Sequence, residues 1–174
     1  DWRNDCNYIK SQNSFNLPSE QYSFVEGINY SGSGQKGVCF RYLEKNVLYD
    51  MGSSAVFPKF NLLYAIAILN SRLVFYISDC LNPTVNKQPN DVKRIPLPLP
   101  TEKNIEYLSP FSKKNIGIYK YLERYSILEV PFKNSPLVSF FENDTKRSVK
   151  RFFNHENHLL GQVLIAEAII NQKV

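Results

Sequence analysis

The chain has 174 residues, of which 43% are hydrophobic, 14% aromatic and 21% charged, and its formal net charge is +5. These values exclude a disordered or low-complexity chain, and the length is enough for one cored domain, alone or with an appendage. The mild positive charge suits a nucleic-acid partner without requiring one.

Residues 1–20 are polar and rich in Asn and Ser, and read as a linker rather than a secretory signal. A β-like pattern follows. Strands are expected over 22–25, 28–30, 38–43, 47–49 and 55–57, with turns at Ser31-Gly32-Ser33-Gly34 and Glu44-Lys45-Asn46. From Asn61 to Asp79 almost every residue is apolar, which predicts one long buried helix with Asn61 as its cap. This run is interrupted by Asn70-Ser71-Arg72 and is too short to span a bilayer comfortably, so a core helix is expected and no membrane.

At Asn82-Pro83 the helix must stop, and a polar run follows, Thr84-Val85-Asn86-Lys87-Gln88. Ile95, Leu97 and Leu99 alternate with prolines, as in an edge strand. Beyond Pro100 the pattern becomes helical. A short helix is expected over 102–108, a helical or extended segment over 116–129, and two helices over 144–153 and 156–172. The expected fold is therefore α+β: a β-rich domain over 21–100 with one long buried helix, then a helical C-terminal extension over 101–174. The chain starts without Met and ends inside a helical pattern, which suggests a fragment of a larger protein.

Several constellations bear on chemistry. Cys6, Cys39 and Cys80 are odd in number and form no C-x-x-C, which argues for reduced thiols in the cytoplasm over disulfides or a zinc knuckle. The Ser31–Gly37 segment is glycine-rich and carries Lys36, but it lacks the phosphate-loop pattern; it reads as a hairpin loop or a DNA-contacting loop. His155 and His158 miss the spacing of a zinc protease helix, so a solvated helix start is expected and no metal site. Lys146, Arg147, Lys150 and Arg151 share one helix face, either solvated or against phosphates, with Val149 and Phe152-Phe153 packed opposite. Asn82-Pro83 begins like the Asn-Pro-Pro-Tyr motif of amino-methyltransferases, yet continues Thr84-Val85, and no strand-Gly-x-Gly motif for AdoMet is present. No catalytic centre is visible.

The polar loop after the long helix has the chemistry to read base edges. Asn and Gln can bond adenine bidentately, and Lys can reach guanine or a phosphate. By composition alone the run reads first as an ordinary solvated loop; as a DNA reader, its candidates for base readout are Thr84, Asn86, Lys87 and Gln88. Ser33, Lys36, Arg41, Lys93, Arg94 and the four basic residues at 146–151 are candidates for backbone or flanking contacts.

A series of phrases resembles one family in order and spacing over roughly residues 1–100. The phrases are Trp2-Arg3-Asn4-Asp5, Tyr22-Ser23-Phe24-Val25-Glu26-Gly27-Ile28-Asn29-Tyr30-Ser31, Phe40-Arg41-Tyr42-Leu43 and Asp50-Met51-Gly52-Ser53-Ser54-Ala55-Val56-Phe57-Pro58. They continue with Leu69-Asn70-Ser71, Asn82-Pro83-Thr84-Val85-Asn86-Lys87-Gln88 and Ile95-Pro96-Leu97-Pro98. This series resembles the region after the catalytic core in large adenine-specific DNA methyltransferases of the BREX phage-defence (PglX-like) and type IIG/IIL restriction–modification group. The resemblance implies a target recognition domain over 21–100. Residues 1–20 would then link it to an upstream methyltransferase domain that binds AdoMet. Double-stranded DNA is the implied partner, with other defence-system subunits as further candidates. The alternatives are a stand-alone specificity subunit, a protein-interaction module in a defence complex, and a small hydrolase using Cys39 or Cys80.

Overall fold

Gly27–Ser31 alternates apolar and polar residues, and in the computed structural model it is the central strand, β1, of a three-stranded antiparallel sheet. The structure describes residues 8, 11, 19–34, 38–49, 52–129 and 131–174. Strands β2 (Phe40–Leu43) and β3 (Ser53–Val56) flank β1. Ile28 pairs with Tyr42 and Val56, and Tyr30 with Phe40 and Ser54. The period of two places Ile28 and Tyr30 on one face, where both are buried with Phe40 and Leu43. The helices are α1 (Leu62–Leu69), α2 (Arg72–Leu81), α3 (Pro89–Lys93), α4 (Glu102–Glu123), α5 (Pro136–Ser139) and α6 (Thr145–Lys173). The chain is α+β, as expected from its pattern.

Two compact units result, Asp1–Leu62 with Val74–Leu97, and Leu63–Leu73 with Pro98–Val174. The first holds the sheet, most of α2 and α3. The second holds most of α1 together with α4, α5 and α6.

In the first unit two expected strands are absent. Glu20–Tyr22 is a 3-10 turn, and Phe24 takes φ 60°, a left-handed conformation that ends any extended run at 22–25. Residues 47–49 make no ladder. Asn46, at φ 72°, closes the expected 44–46 turn and donates its N–H to Phe24 O at 3.2 Å. The proline-rich 95–100 stretch is irregular rather than an edge strand. Ile95 is buried, but Leu99 is 86% exposed, so the alternation buries no continuous face.

The long apolar run is two helices. Asn70 breaks it, because its side-chain amide donates to Ile66 O at 3.1 Å and Ser71 N–H tightens onto Ile68 O at 3.0 Å. Within the second unit, Asn171 of α6 caps the restart: its Oδ1 accepts the Arg72 N–H at 2.7 Å. Tyr64 to Leu69 of α1 are all buried, as expected for a helix apolar on every side. Among the described residues no single helix is long and apolar enough to cross a membrane; α1 and α2 pass that test only when taken together.

In the second unit α4 and α6 are each longer than expected. Thr101 caps α4 by accepting the Asn104 N–H, Asp144 caps α6 by accepting the Lys146 N–H, and helical spacing continues through Glu156 without a break. α4 packs on α6, and Leu108 and Ile118 of α4 and Val163, Ala166 and Ile170 of α6 are buried. Near one end, Tyr121, Tyr125, Phe140, Phe152 and His155 form an aromatic cluster with centroid separations of 5.0–6.1 Å. His155 is thus a packed ring in mid-helix, not a solvated helix start. The packed face includes Phe152 but not Phe153, which is 52% exposed.

Candidate nucleic-acid interface

The turn after α2 is organised by Asn82. As the residue before Pro83 it cannot continue the helix, and its amide then serves the loop instead. Its Oδ1 accepts the Thr84 N–H at 2.9 Å and lies 2.7 Å from the Thr84 hydroxyl. Its Nδ2 donates to Asn86 O at 2.9 Å and to Asp91 Oδ2 at 2.7 Å. The same Asp91 oxygen accepts the Gln88 N–H at 2.9 Å, which closes the first turn of α3. These two donors, first Asn82 and then the Gln88 backbone, hold the Asp91 carboxyl below the usual carboxylate range, with Arg94 and Lys87 adding to the effect.

Lys87 faces inward. It is 4% exposed, and its ammonium donates to Asn82 O and, at 3.3 Å, to Ser78 O, with Asp79 Oδ1 at 3.6 Å. The cation therefore sits at the C-terminal end of α2, where helix carbonyls lack partners and the macrodipole favours positive charge. Expected at a base edge, it instead spends its donors on the scaffold.

The loop is also zipped to the turn after β1. Lys87 N–H donates to Gly32 O at 2.8 Å, Gly34 N–H donates to Val85 O at 3.0 Å, and Ser33 stands opposite Asn86 in an antiparallel bridge. Gly32 N–H bonds Gly52 O at 3.2 Å, so this short ribbon is continuous with the sheet. Ser33, Thr84, Asn86 and Gln88 are all exposed. The structure thus brings together Ser33 and the four loop residues, with Lys93 and Arg94 exposed at the end of α3. Arg41 is exposed on β2, paired with Asn29 on the face opposite Ile28 and Tyr30. Lys36 lies outside the described residues. Lys146, Arg147, Lys150 and Arg151 are exposed on the first turns of α6 in the second unit, where Arg151 pairs with Glu142 at 3.0 Å.

Sequence reasoning passed over Asn82 and Asp91 as organisers of this loop. The signal for Asp91 was present: an acidic residue three positions after the residue that opens a helix is a capping pattern. Among the described residues no group of His, Cys, Asp or Glu could hold a metal, and Cys39 and Cys80 are exposed free thiols.

This chain is similar to an adenine-specific methyltransferase. That relative, the adenine-specific methyltransferase BrxX of Escherichia coli O9:H4 (strain HS), is 27% identical over 164 residues. The similarity takes in 92% of this chain but spans only 13% of that protein's length. No family model matches the chain.

Proposed function

We propose that this chain is the DNA target-recognition segment of an adenine-specific DNA methyltransferase of the BREX or restriction–modification kind. The observation that carries the reading is the exposed group of hydroxyl and amide side chains on a ribbon whose backbone is fixed by its own hydrogen bonds. Readout depends on placement, and such a ribbon meets duplex DNA already in shape. The similarity to BrxX over nearly the whole chain supports the methyltransferase context.

In this reading Asn86 and Gln88 address base edges, with Thr84 sharing its hydroxyl between Asn82 and the DNA. Arg41, Lys93 and Arg94, and in the second unit Lys146, Arg147, Lys150 and Arg151, contact phosphates and set register without carrying sequence information. In this reading AdoMet binding and adenine methylation belong to a methyltransferase domain elsewhere in the same protein, as the resemblance to the large adenine-specific methyltransferases implies. Other defence-system subunits are further partners of the whole protein.

The test is sequencing of methylated sites in a host expressing the full-length protein. Asn86→Ala and Gln88→Ala should alter or abolish site selection while AdoMet binding survives. Unchanged specificity after both substitutions sinks the assignment.

A further inference from the structure

The bridge to β1 makes the 84–88 loop too small a unit for base reading. In the antiparallel pattern formed by Lys87 N–H to Gly32 O and Gly34 N–H to Val85 O, Ser33 and Asn86 are a directly opposed, non-hydrogen-bonded pair. Such pairs bring Cα atoms within about 4.5 Å and point both side chains to one face. Both residues are exposed. The major groove admits a two-stranded β-ribbon, and two side chains that close together fall within the span of one base pair.

Resting on the recognition reading above, we infer that the reading head is the two-stranded ribbon of 32–34 and 85–87. Asn86 and Ser33 jointly read one adenine-containing base pair, and Lys87 acts only as the latch that holds the ribbon. Asn86 supplies the bidentate amide that matches adenine N6 and N7, and the Ser33 hydroxyl takes a remaining edge of the same pair. Lys87 joins the pieces: its N–H bonds Gly32 O, and its buried ammonium grips the α2 terminus through Ser78 O and Asn82 O. A cation so committed is a positioning residue and leaves no phosphate contact to lose.

The experiment uses the full-length protein with Ser33→Ala, Asn86→Ala, the double variant, Lys87→Met and Gln88→Ala. Site selection is read by sequencing methylated DNA, and binding to a duplex carrying the selected site is measured against salt. Ser33→Ala and Asn86→Ala should relax the same single position. Asn86→Ala should lower discrimination there by about 5- to 150-fold, and the double variant should relax it no further. Lys87→Met should weaken all sites alike, raise amide exchange at Gly34, and leave the slope of log affinity against log salt unchanged. A slope reduced by about 0.9 for Lys87→Met, the signature of one lost phosphate contact, overturns the latch. Relaxation at different positions, or none from Ser33→Ala while Gln88→Ala changes selection, overturns the shared reading but spares the recognition role. If none of the five variants, Gln88→Ala included, changes selection, the recognition role itself fails and this inference with it.

Discussion

Asn82 donates its side-chain amide to Asp91 at 2.7 Å, and this one bond ties the start of the candidate recognition loop to the helix that ends it. The two residues are nine apart in sequence, and the exposed loop residues proposed to read bases lie between them, with Ser33 the exception. Their geometry determines which backbone is presented.

Asn82→Ala should therefore loosen residues 84–91 without unfolding the sheet. It strips the acceptor from Thr84 and the donors from Asn86 O and Asp91. Water can reach these partners, and Asn86 O keeps the Thr84 hydroxyl at 3.1 Å while Asp91 keeps the Gln88 N–H, so the loss falls on local order rather than on global stability. Hydrogen exchange should accelerate at the Thr84 and Gln88 amides while β1 amides keep their protection. Uniform acceleration across both regions would show that Asn82 supports the whole unit instead.

The Asp91 carboxyl is held below its ordinary range by Asn82 and the Gln88 N–H, which gives the loop a defined acid limit. A depressed carboxyl pKa contributes stability above the unfolded value of about 3.9 and loses it as pH falls through the lower folded value. Gln88 amide protection should thus be flat from neutral pH to about pH 4 and fall below that. Asp91→Asn should lower protection at neutral pH and flatten the acid response. A wild-type transition well above pH 4 would contradict the arrangement.

Tyr42 offers an alkaline counterpart. Its hydroxyl donates to Glu26, and this bond, with partial burial, pushes the phenol up to about 12. The folded form then holds its proton longer than the unfolded form, so this contribution is complete below pH 10.0 and lost as pH rises towards about 12. Absorbance titration of Glu26→Gln should show one tyrosine ionising earlier than in the parent. An unchanged titration would remove Glu26 as the cause.

Gly27→Ala should destabilise the first unit. A Cβ at this position would lie 2.8 Å from two ring carbons of Phe57 and 3.2 Å from Val56 O. The ring cannot swing aside freely, because Tyr22 stacks on it at 4.9 Å and Tyr49 tilts against it at 6.2 Å. Overpacking of this kind costs about 1–3 kcal/mol, to be read from the denaturant midpoint. A midpoint equal to the parent's would mean that the ring relocates at little cost.

Asn171→Ala should weaken the second unit by about 1 kcal/mol, the usual worth of a helix cap. Its Oδ1 is the acceptor for Arg72 N–H, supplied from a residue 99 positions away. The sharper readout is exchange at the Arg72 amide, which should rise in the variant; an unchanged rate would mean that another acceptor takes over.

Local patterns were legible wherever one strong rule acted alone. The α+β class, the burial of Ile28 and Tyr30 by alternation, the fully buried Tyr64–Leu69 helix, and the stop at Asn82-Pro83 all follow from residue type and spacing. Where two local preferences competed, a neighbour elsewhere in the chain or a side-chain bond decided. Asn70 could ride through a helix or break it, and its bond to Ile66 O broke it. The alternation of Ile95, Leu97 and Leu99 builds no strand face, because Ile95 finds a buried site and Leu99 does not.

The candidate site divides along the same line. Composition showed a polar loop whose amides suit base edges but suit an ordinary solvated loop at least as well, and only its place in the ordered series of family-like phrases made it a candidate. Tertiary structure decided which of them face outward. Lys87 and Asn86 are adjacent and both polar, yet the ammonium is buried at a helix end while the amide is exposed beside Ser33, a residue 53 positions earlier. The physical reason is that the end of α2 offers the Ser78 and Asn82 carbonyls at the reach of a lysine side chain, and the turn after β1 offers backbone partners that fix the loop's pleat. Both depend on segments brought together only by folding.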